Sequence, residues 1–439
     1  MDGDLVLRDV RIQTLFCLDT GFLADRAALT DYNEWRTQGN WRERIRLRMP
    51  DRPAHGLLLR GVLESEYAKT SWGLYRSTLA EPPGQSFFPL DFGFAGKTIT
   101  AGSMTGSLDR IFLSPRGALC FVHESRHTDP DTWHSVLQVI RDHRQMYQLS
   151  RASVKAGLDA FASLWADAGL PGGLRWLEDT ELWPYVQVYE LVDIDMGLRA
   201  GDGTVTAVED IKRLYRPPAS VPGMDLVALT RMSEAAATDH KNTRVDELQR
   251  ADLGYRSDEL WAVTSERLVR CFPERDDWTE IALFEDVMIA AAVLLLQRAA
   301  RDSMALWASS QRSAQYHQTP AEVADQAGSG GFAEDIRKVM AASAVVSEPS
   351  LLMIGTRNTF YGLVVPELVR LLGVEERRRS ALESVRQFAA FSETMANYRA
   401  QEAQLSLSQA AGRLGWISVL LAVVALVIGA IQIYVAVGP

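Results

Sequence analysis

Five consecutive residues, His123-Glu124-Ser125-Arg126-His127, match the pattern H-E-x-x-H. On a helix this pattern sets two imidazoles one turn apart to hold zinc, with the glutamate as general base toward a bound water. His134 and His143 follow within reach of a third-ligand role if the fold brings them to the pair. That chemistry requires all five residues to lie in one helix. Here they end an apolar run, Ala118 to Val122, and precede Thr128-Asp129-Pro130, which read as the opening of the next helix. The context therefore predicts a polar strand-to-helix connection. A zinc-dependent hydrolase with His123 and His127 as metal ligands and Glu124 as catalytic base is the alternative reading. Under the favoured one, no catalytic, cofactor-binding or metal residue is assigned.

Other chemical signals are weaker. Gly328-Ser329-Gly330-Gly331 lacks the Lys-Ser/Thr of a phosphate-binding loop and reads as a flexible joint. Gly201-Asp202-Gly203 reads as a turn before a helix near Val208 to Tyr215. Cys17, Cys120 and Cys271 are far apart in sequence and each sits in an apolar, strand-like run, which predicts reduced core thiols rather than a disulfide framework or a zinc knuckle. His240 and His317 lie in polar segments and read as surface residues. No nucleophile elbow and no paired-cysteine motif is present.

The elements that must position these residues repeat a pattern. Arg110 to Val122 reads as strand, tight turn at Pro115-Arg116-Gly117, and strand, followed by a helix with Asp129 as cap and Trp133 in its first turn. Leu260 to Phe272 reads as strand, turn at Ser265-Glu266, and strand, followed by Asp276-Asp277-Trp278. The two helices continue through Val136, Val139, Ile140, Met146 and Leu149, and through Ile281, Phe284, Val287, Met288, Ala291 and Leu295. Leu5 to Leu18 and Pro184 to Ile194 supply a leading strand to each. The expected body is α+β: two related units, each a small antiparallel sheet with helices on one face, arising from duplication or from convergence of common hairpin-helix units. Glu81 to Gly96, rich in Pro, Gly and Phe, suits a long ordered loop, and Pro217 to Pro222 interrupts the second unit.

The C-terminal part is of another kind. Trp416 to Val437 is an apolar run of about 22 residues without a charge, long enough to cross a bilayer as a helix. Arg399 and Arg413 precede it and no Lys or Arg follows, so the positive-inside bias places the body in the cytoplasm; Arg413, Trp416 and Tyr434 mark the membrane interfaces. Ser418, Ala422, Ala425, Gly429, Gln432 and Ala436 recur at alternating steps of four and three, a single stripe of small or amide-bearing residues. In lipid, close approach and a buried amide drive helices together, so the stripe predicts self-association. Its register runs back through Gly415, Ala411, Ser408 and Gln404 into an amphipathic helix over Glu375 to Arg413, with Leu382, Val385, Phe388, Phe391, Met395 and Tyr398 on one face. That helix reads as a stalk, and Arg377 to Arg379 as its solvated start.

The expected division is thus 1–170 and 171–315 for the two α+β units, 316–374 for a helical connector with its joint at 328–331, 375–413 for the stalk and 414–437 for the membrane helix. The 439 residues are 47% hydrophobic and 23% charged, enough for cores of this number. A formal charge of −10 and a pI near 5.4 argue against a nucleic-acid binder. Met1 to Asp4 leads into a strand pattern without a basic-then-apolar leader, so no signal peptide is expected. A cytoplasmic body, the long helix over Glu375 to Arg413 and a self-associating C-terminal membrane segment together resemble the CorA-type metal transporters. The resemblance implies a cytoplasmic sensor coupled through stalk helices to a membrane bundle. That family's two membrane helices joined by a Gly-Met-Asn loop have no counterpart here, since the chain has one such run and no Met after Met395. The expected role is a membrane-anchored sensor, scaffold or effector that is not an enzyme. Its partners would be the lipid bilayer, further copies of the chain, and a cytoplasmic protein or small molecule. The alternatives are a membrane-tethered zinc hydrolase or a divergent CorA-like ion transporter.

Overall fold

The computed structural model describes residues 3–19, 88–89, 98–113, 118–167, 182–216, 220–240, 244–272 and 359–437, with Trp176, Glu178 and scattered positions between 284 and 309. The chain divides into two compact units, Met1–Met304 with Val345–Ala381, and Ala305–Ala344 with Leu382–Pro439.

The first unit is built on one mixed sheet. Its strands are β1 (Asp4–Asp19), β2 (Phe88–Pro89), β3 (Ile99–Ala101), β4 (Met104–Leu113), β5 (Ala118–His127), β6 (His134–Ser135), β7 (Gln187–Arg199), β8 (Val205–Ala207), β9 (Leu260–Val263) and β10 (Arg267–Phe272). The order is β2-β4-β5-β1-β7-β10-β9, with β3 on β4, β6 on β1 and β8 on β7. All the pairings are antiparallel except β7 with β10. Both expected hairpins form, β4–β5 and β9–β10. The second is closed by Thr264, whose Oγ1 accepts from the backbone N–H groups of Glu266 and Arg267 at 3.3 and 3.0 Å.

Two separate antiparallel sheets are not formed. The leading strands β1 and β7 pair with each other, from Asp4↔Arg199 to Cys17↔Gln187, and fuse the two halves across the expected boundary at residue 170. The halves repeat in order outward from this seam, but not in direction. β5 runs antiparallel to β1 while β10 runs parallel to β7, so no two-fold rotation maps one half onto the other.

Helices cover both faces of the sheet, where one face was expected. Helix α1 (Val136–Asp167) lies on one side and sets Val139, Ile140 and Met146 against Ile12, Val192 and Met196, and Val154, Phe161 and Trp165 against Phe16, Leu119 and Phe121. Gly157 allows the approach, because a Cβ there would sit 2.5 Å from Cε1 of Phe121. Helix α2 (Val221–Arg231), capped by Ser220, and the short helices α3 (Glu234–Thr238) and α4 (Val245–Ala251) share this side. On the other side Leu15, Cys17, Cys120, Val122, Leu191 and Leu268 pack against Phe284, Val287, Leu295 and helix α5 (Thr359–Leu371). With both faces covered the central strands are buried on both sides, the pattern of a sheet enclosed between layers rather than of one wet on one face.

Local corrections follow from caps. Helix α1 begins at Val136, where Ser135 Oγ accepts from Gln138 N at 3.2 Å; Asp129 instead closes a turn by accepting from Asp131 N at 3.1 Å and from the Thr132 hydroxyl. Near residues 208–215 there is a single 3-10 turn, Ile211–Arg213, in place of a helix. Within Glu81–Gly96, Phe88–Pro89 pairs with β4 as a short strand. The segment Asp276-Asp277-Trp278 and the expected connector from 316 to 358, with its joint at 328–331, lie outside the described residues.

Gly373, at φ 60°, ends α5, and helix α6 (Val374–Val437, 64 residues) follows with Glu375 and Glu376 in its first turn, where carboxylates complement the helix dipole. The segments expected as stalk and membrane helix are one uninterrupted helix. Val385 and Phe388 are buried, Leu382 and Phe391 half-buried and Tyr398 exposed; the Met395 side chain lies outside the described residues.

Candidate functional site

The H-E-x-x-H residues lie in β5, not in a helix. Strand geometry sends His123, Ser125 and His127 to the α1 side of the sheet and Glu124 and Arg126 to the opposite side. His123 and His127 are four residues apart, about 13 Å along a strand, so they do not converge on one ion, and Glu124 is turned away from both. The zinc-hydrolase arrangement that would use these three residues is not formed. Among the described residues, no group of three or more His, Cys, Asp or Glu side chains is placed to hold a metal.

What the pentad builds instead are two polar layers. On the α1 side, Ser103 Oγ donates to Asp142 Oδ2 at 2.6 Å and lies 3.0 Å from His127 Nδ1. Because the hydroxyl proton goes to the carboxylate, Nδ1–H of His127 is the donor to Oγ, and Nε2 keeps its lone pair. Gln138 Nε2 donates to the other Asp142 oxygen at 2.8 Å. Burial works to raise the Asp142 carboxyl, but the hydrogen bonds from Ser103 and Gln138 outweigh it and hold it below the usual range. The His134 ring lies against His127, centroids 4.0 Å apart. Burial, then the proximity of His134, lowers His127 to about 4 against the opposing pull of Asp142. His123 is lowered to about 4 by burial and by His143, with Glu124 opposing. Its ring lies over Gly106, where a Cβ would meet Cε1 at 2.6 Å.

One step along the same layer, His143 Nε2 is 2.9 Å from Glu190 Oε1, and Arg267 Nε donates to Glu190 Oε2 at 3.0 Å while its NH1 donates to Thr230 O at 3.0 Å. Glu190 is 4% exposed. Burial would push its carboxyl up, but His143 and Arg267 together bring it down to about 2.

On the other side of the sheet, Glu124 accepts from Arg11 NH2 at 2.9 Å, Gln13 Nε2 at 2.8 Å and Arg126 Nε at 2.9 Å. Burial opposes its ionisation, and these donors overcome it. Arg11 lies 3.9 Å from the Phe284 ring centroid. Two strands on, Arg270 Nε is 2.8 Å from Asp193 Oδ1, both side chains being essentially inaccessible. Arg8 pairs with Asp195 at a bulge in β1 where Asp9 takes φ 47° and gives its N–H to Pro130 O at 3.1 Å.

On the α1 side these contacts tie the sheet to α1 and, through Thr230, to α2, and on the other side they link neighbouring strands. A general base works best with a pKa near the ambient pH, and the two histidines at about 4 fall well short. In a nucleophile triad the imidazole stands between hydroxyl and carboxylate; here the hydroxyl of Ser103 stands between them, with its proton committed to Asp142.

The other candidate lies on α6. Gln404–Gln432 is 29 residues long and is the only helix among the described residues long and apolar enough to cross a membrane; none of its apolar window is buried. Arg413, Ser418, Ala422, Ala425 and Gln432 are exposed, Trp416 is 75% exposed, and Gly429 is intermediate. A Cβ at Gly412, Gly415 or Gly429 would meet nothing within 4 Å. Tyr434 and Ala436 fall on the last turns of α6, beyond the side chains described.

No family model, no curated protein and no solved structure matches this chain.

Several participants carry no motif. Ser103, Asp142, Glu190 and Arg267 come from four separate stretches. The clue within the sequence was the crowding of histidine: four of the seven lie between residues 123 and 143, which is where the polar layer forms.

Proposed function

We propose that this chain is a membrane-anchored protein whose α+β body lies in the cytoplasm and binds a protein or small molecule. Its C-terminal helices associate with copies of themselves and carry that event to the membrane, as sensor, scaffold or effector. The carrying observation is the uncovered apolar surface of α6. Between Leu414 and Ile431 twelve large apolar side chains, from Val424 at 45% to Trp416 and Leu426 at 75%, are exposed. At about 1.5–3 kcal/mol for fully burying each, and with roughly half to three-quarters of each still exposed, on the order of 10–20 kcal/mol of hydrophobic stabilisation goes unused in water. A whole domain is stable by only about 5–15 kcal/mol, so this surface belongs in lipid or against another chain.

Both environments are used in the proposal. The span lies in the bilayer, with Arg399 and Arg413 on its N-terminal side favouring a cytoplasmic body. Gln432 brings an amide into an apolar run, and an amide in hydrocarbon associates where it finds a partner. The stripe of Ser418, Ala422, Ala425, Gly429, Gln432 and Ala436 supplies the close approach that such pairing needs. The resemblance to CorA-type transporters read from the sequence suggests coupling between body and span, while ion conduction of their kind lacks its Gly-Met-Asn loop here.

The test is the mass of the full chain in mild detergent by light scattering. An oligomer is expected, and Gly429→Leu with Gln432→Leu shifts it toward monomer with the melting of the body unchanged, because a Cβ at Gly429 would meet nothing within 4 Å and Gln432 is exposed. A wild-type monomer, or an oligomer indifferent to both changes, removes the association from the proposal.

A further inference from the structure

Cys17 and Cys120 are about a hundred residues apart in sequence, and the fold sets them directly opposite one another on the antiparallel strands β1 and β5. Both are fully buried on the face that packs against α5, and the proximity of Cys120 adds to the burial that raises the Cys17 thiol. Directly opposed antiparallel residues have Cα atoms about 4.5–5.5 Å apart. A disulfide spans about 4.4–6.8 Å between Cα atoms, so the backbone is already placed for the bond. Cys271 belongs to the opposite face, in β10 opposite Leu260 and Ile194, with the whole sheet between it and the other two.

We propose that Cys17 and Cys120 form an oxidation site, closing as a cross-strand disulfide on exposure to a peroxide while Cys271 stays a thiol. The step balances. One thiol sulfur attacks the peroxide O–O bond, giving a sulfenic acid and water. The second sulfur then displaces hydroxide from the sulfenic sulfur, its own proton leaving with the hydroxide as a second water. Two electrons pass from the pair of thiols to one hydrogen peroxide.

The bond ties β1 to β5 at the core of the sheet, beneath Val364, Val365 and Leu368 of α5, the helix that leads into α6. Burial raises the Cys17 thiol well above its ordinary range, so the attacking thiolate is scarce and closure is slow at neutral pH and faster as pH rises.

The experiment treats the full chain in detergent with hydrogen peroxide, removes the peroxide, alkylates under denaturing conditions and maps the peptides without reduction. The expected result is a fall from three free thiols to one, a single linked peptide pair containing Cys17 and Cys120, and Cys271 alkylated. In Cys120→Ala no linked peptide forms and both remaining thiols alkylate. Because the decisive map uses the unaltered chain, it stands whether or not that variant folds. Linkage through Cys271, sulfinic acid in place of the linked pair, or Cys17 and Cys120 still alkylatable after prolonged treatment overturns the proposal.

Discussion

Replacing Glu190 with glutamine removes the only carboxylate in a buried triad and leaves Arg267, 9% exposed, facing an amide. The magnitude can be worked in two ways. The carboxyl titrates at about 2 in place of its ordinary 4.5, which at about 1.4 kcal/mol per pH unit is about 3–4 kcal/mol of preference for the charged form in the folded chain. Breaking a buried ion pair by removing one partner typically costs about 3–5 kcal/mol. The two routes meet at about 3–4 kcal/mol. For a body of this size that is a fall in Tm of about 6–16 °C, since each kcal/mol moves the midpoint by about 2–4 °C. The assay is thermal unfolding of the full chain at pH 7 followed by tryptophan fluorescence, for which the buried Trp165 and Trp261 are the reporters. The double variant Glu190→Leu with Arg267→Met removes both charges and is expected to be more stable than the sum of the single losses, because neither charge is left alone. A Glu190→Gln midpoint within about 1 °C of wild type, or strictly additive single and double losses, refutes the reasoning.

Three further outcomes are expected. Lowering the pH from 6.5 to 4 should reduce the urea midpoint. His123 and His127 titrate at about 4 when folded and near 6.5 when unfolded, so the unfolded chain takes up more protons across that window. Glu190 acts in a different window: its depressed pKa contributes stability above about 4.5 that is lost as pH falls toward 2. A midpoint flat between pH 7 and 5 contradicts the histidine assignment. Gly157→Ala should destabilise by about 1–3 kcal/mol through overpacking against Phe121, although alanine is favoured over glycine by about 1 kcal/mol in an open helix. Chemical denaturation that shows Gly157→Ala more stable than wild type reverses the packing argument. Gly106→Ala should likewise lower Tm, because its Cβ would meet the His123 ring; an unchanged Tm means the ring moves freely.

Local features of the fold were legible and long-range ones were not. Turn residues and apolar runs mark β4–β5, β9–β10, α5 and the continuous apolar end of α6, because each is specified by neighbours in sequence. The pairing of β1 with β7 joins residues nearly two hundred positions apart and leaves no local trace, so the two halves read as separate sheets. The parallel pairing of β7 with β10 is equally silent. Asp129 looked like a helix cap because Asp caps turns and helices alike; the intervening β6 moved the helix start to Ser135. Of the polar layers, His123, Glu124 and His127 stood out only because they match a motif whose chemistry the strand cannot perform. Glu190, Asp193, Arg267 and Arg270 were hidden in apolar strands. Their meaning depends on which strand lies alongside, as does that of Cys17 and Cys120.

The most direct measurement of the central claim is alkaline carbonate extraction of membranes from cells making the full chain. The chain is expected to remain in the membrane pellet, and Val424→Arg, which places a charge near mid-span at about 2.5 kcal/mol or more, to release a measurable share. Wild-type chain recovered entirely in the supernatant would mean that the apolar surface of α6 is covered by protein and not by lipid.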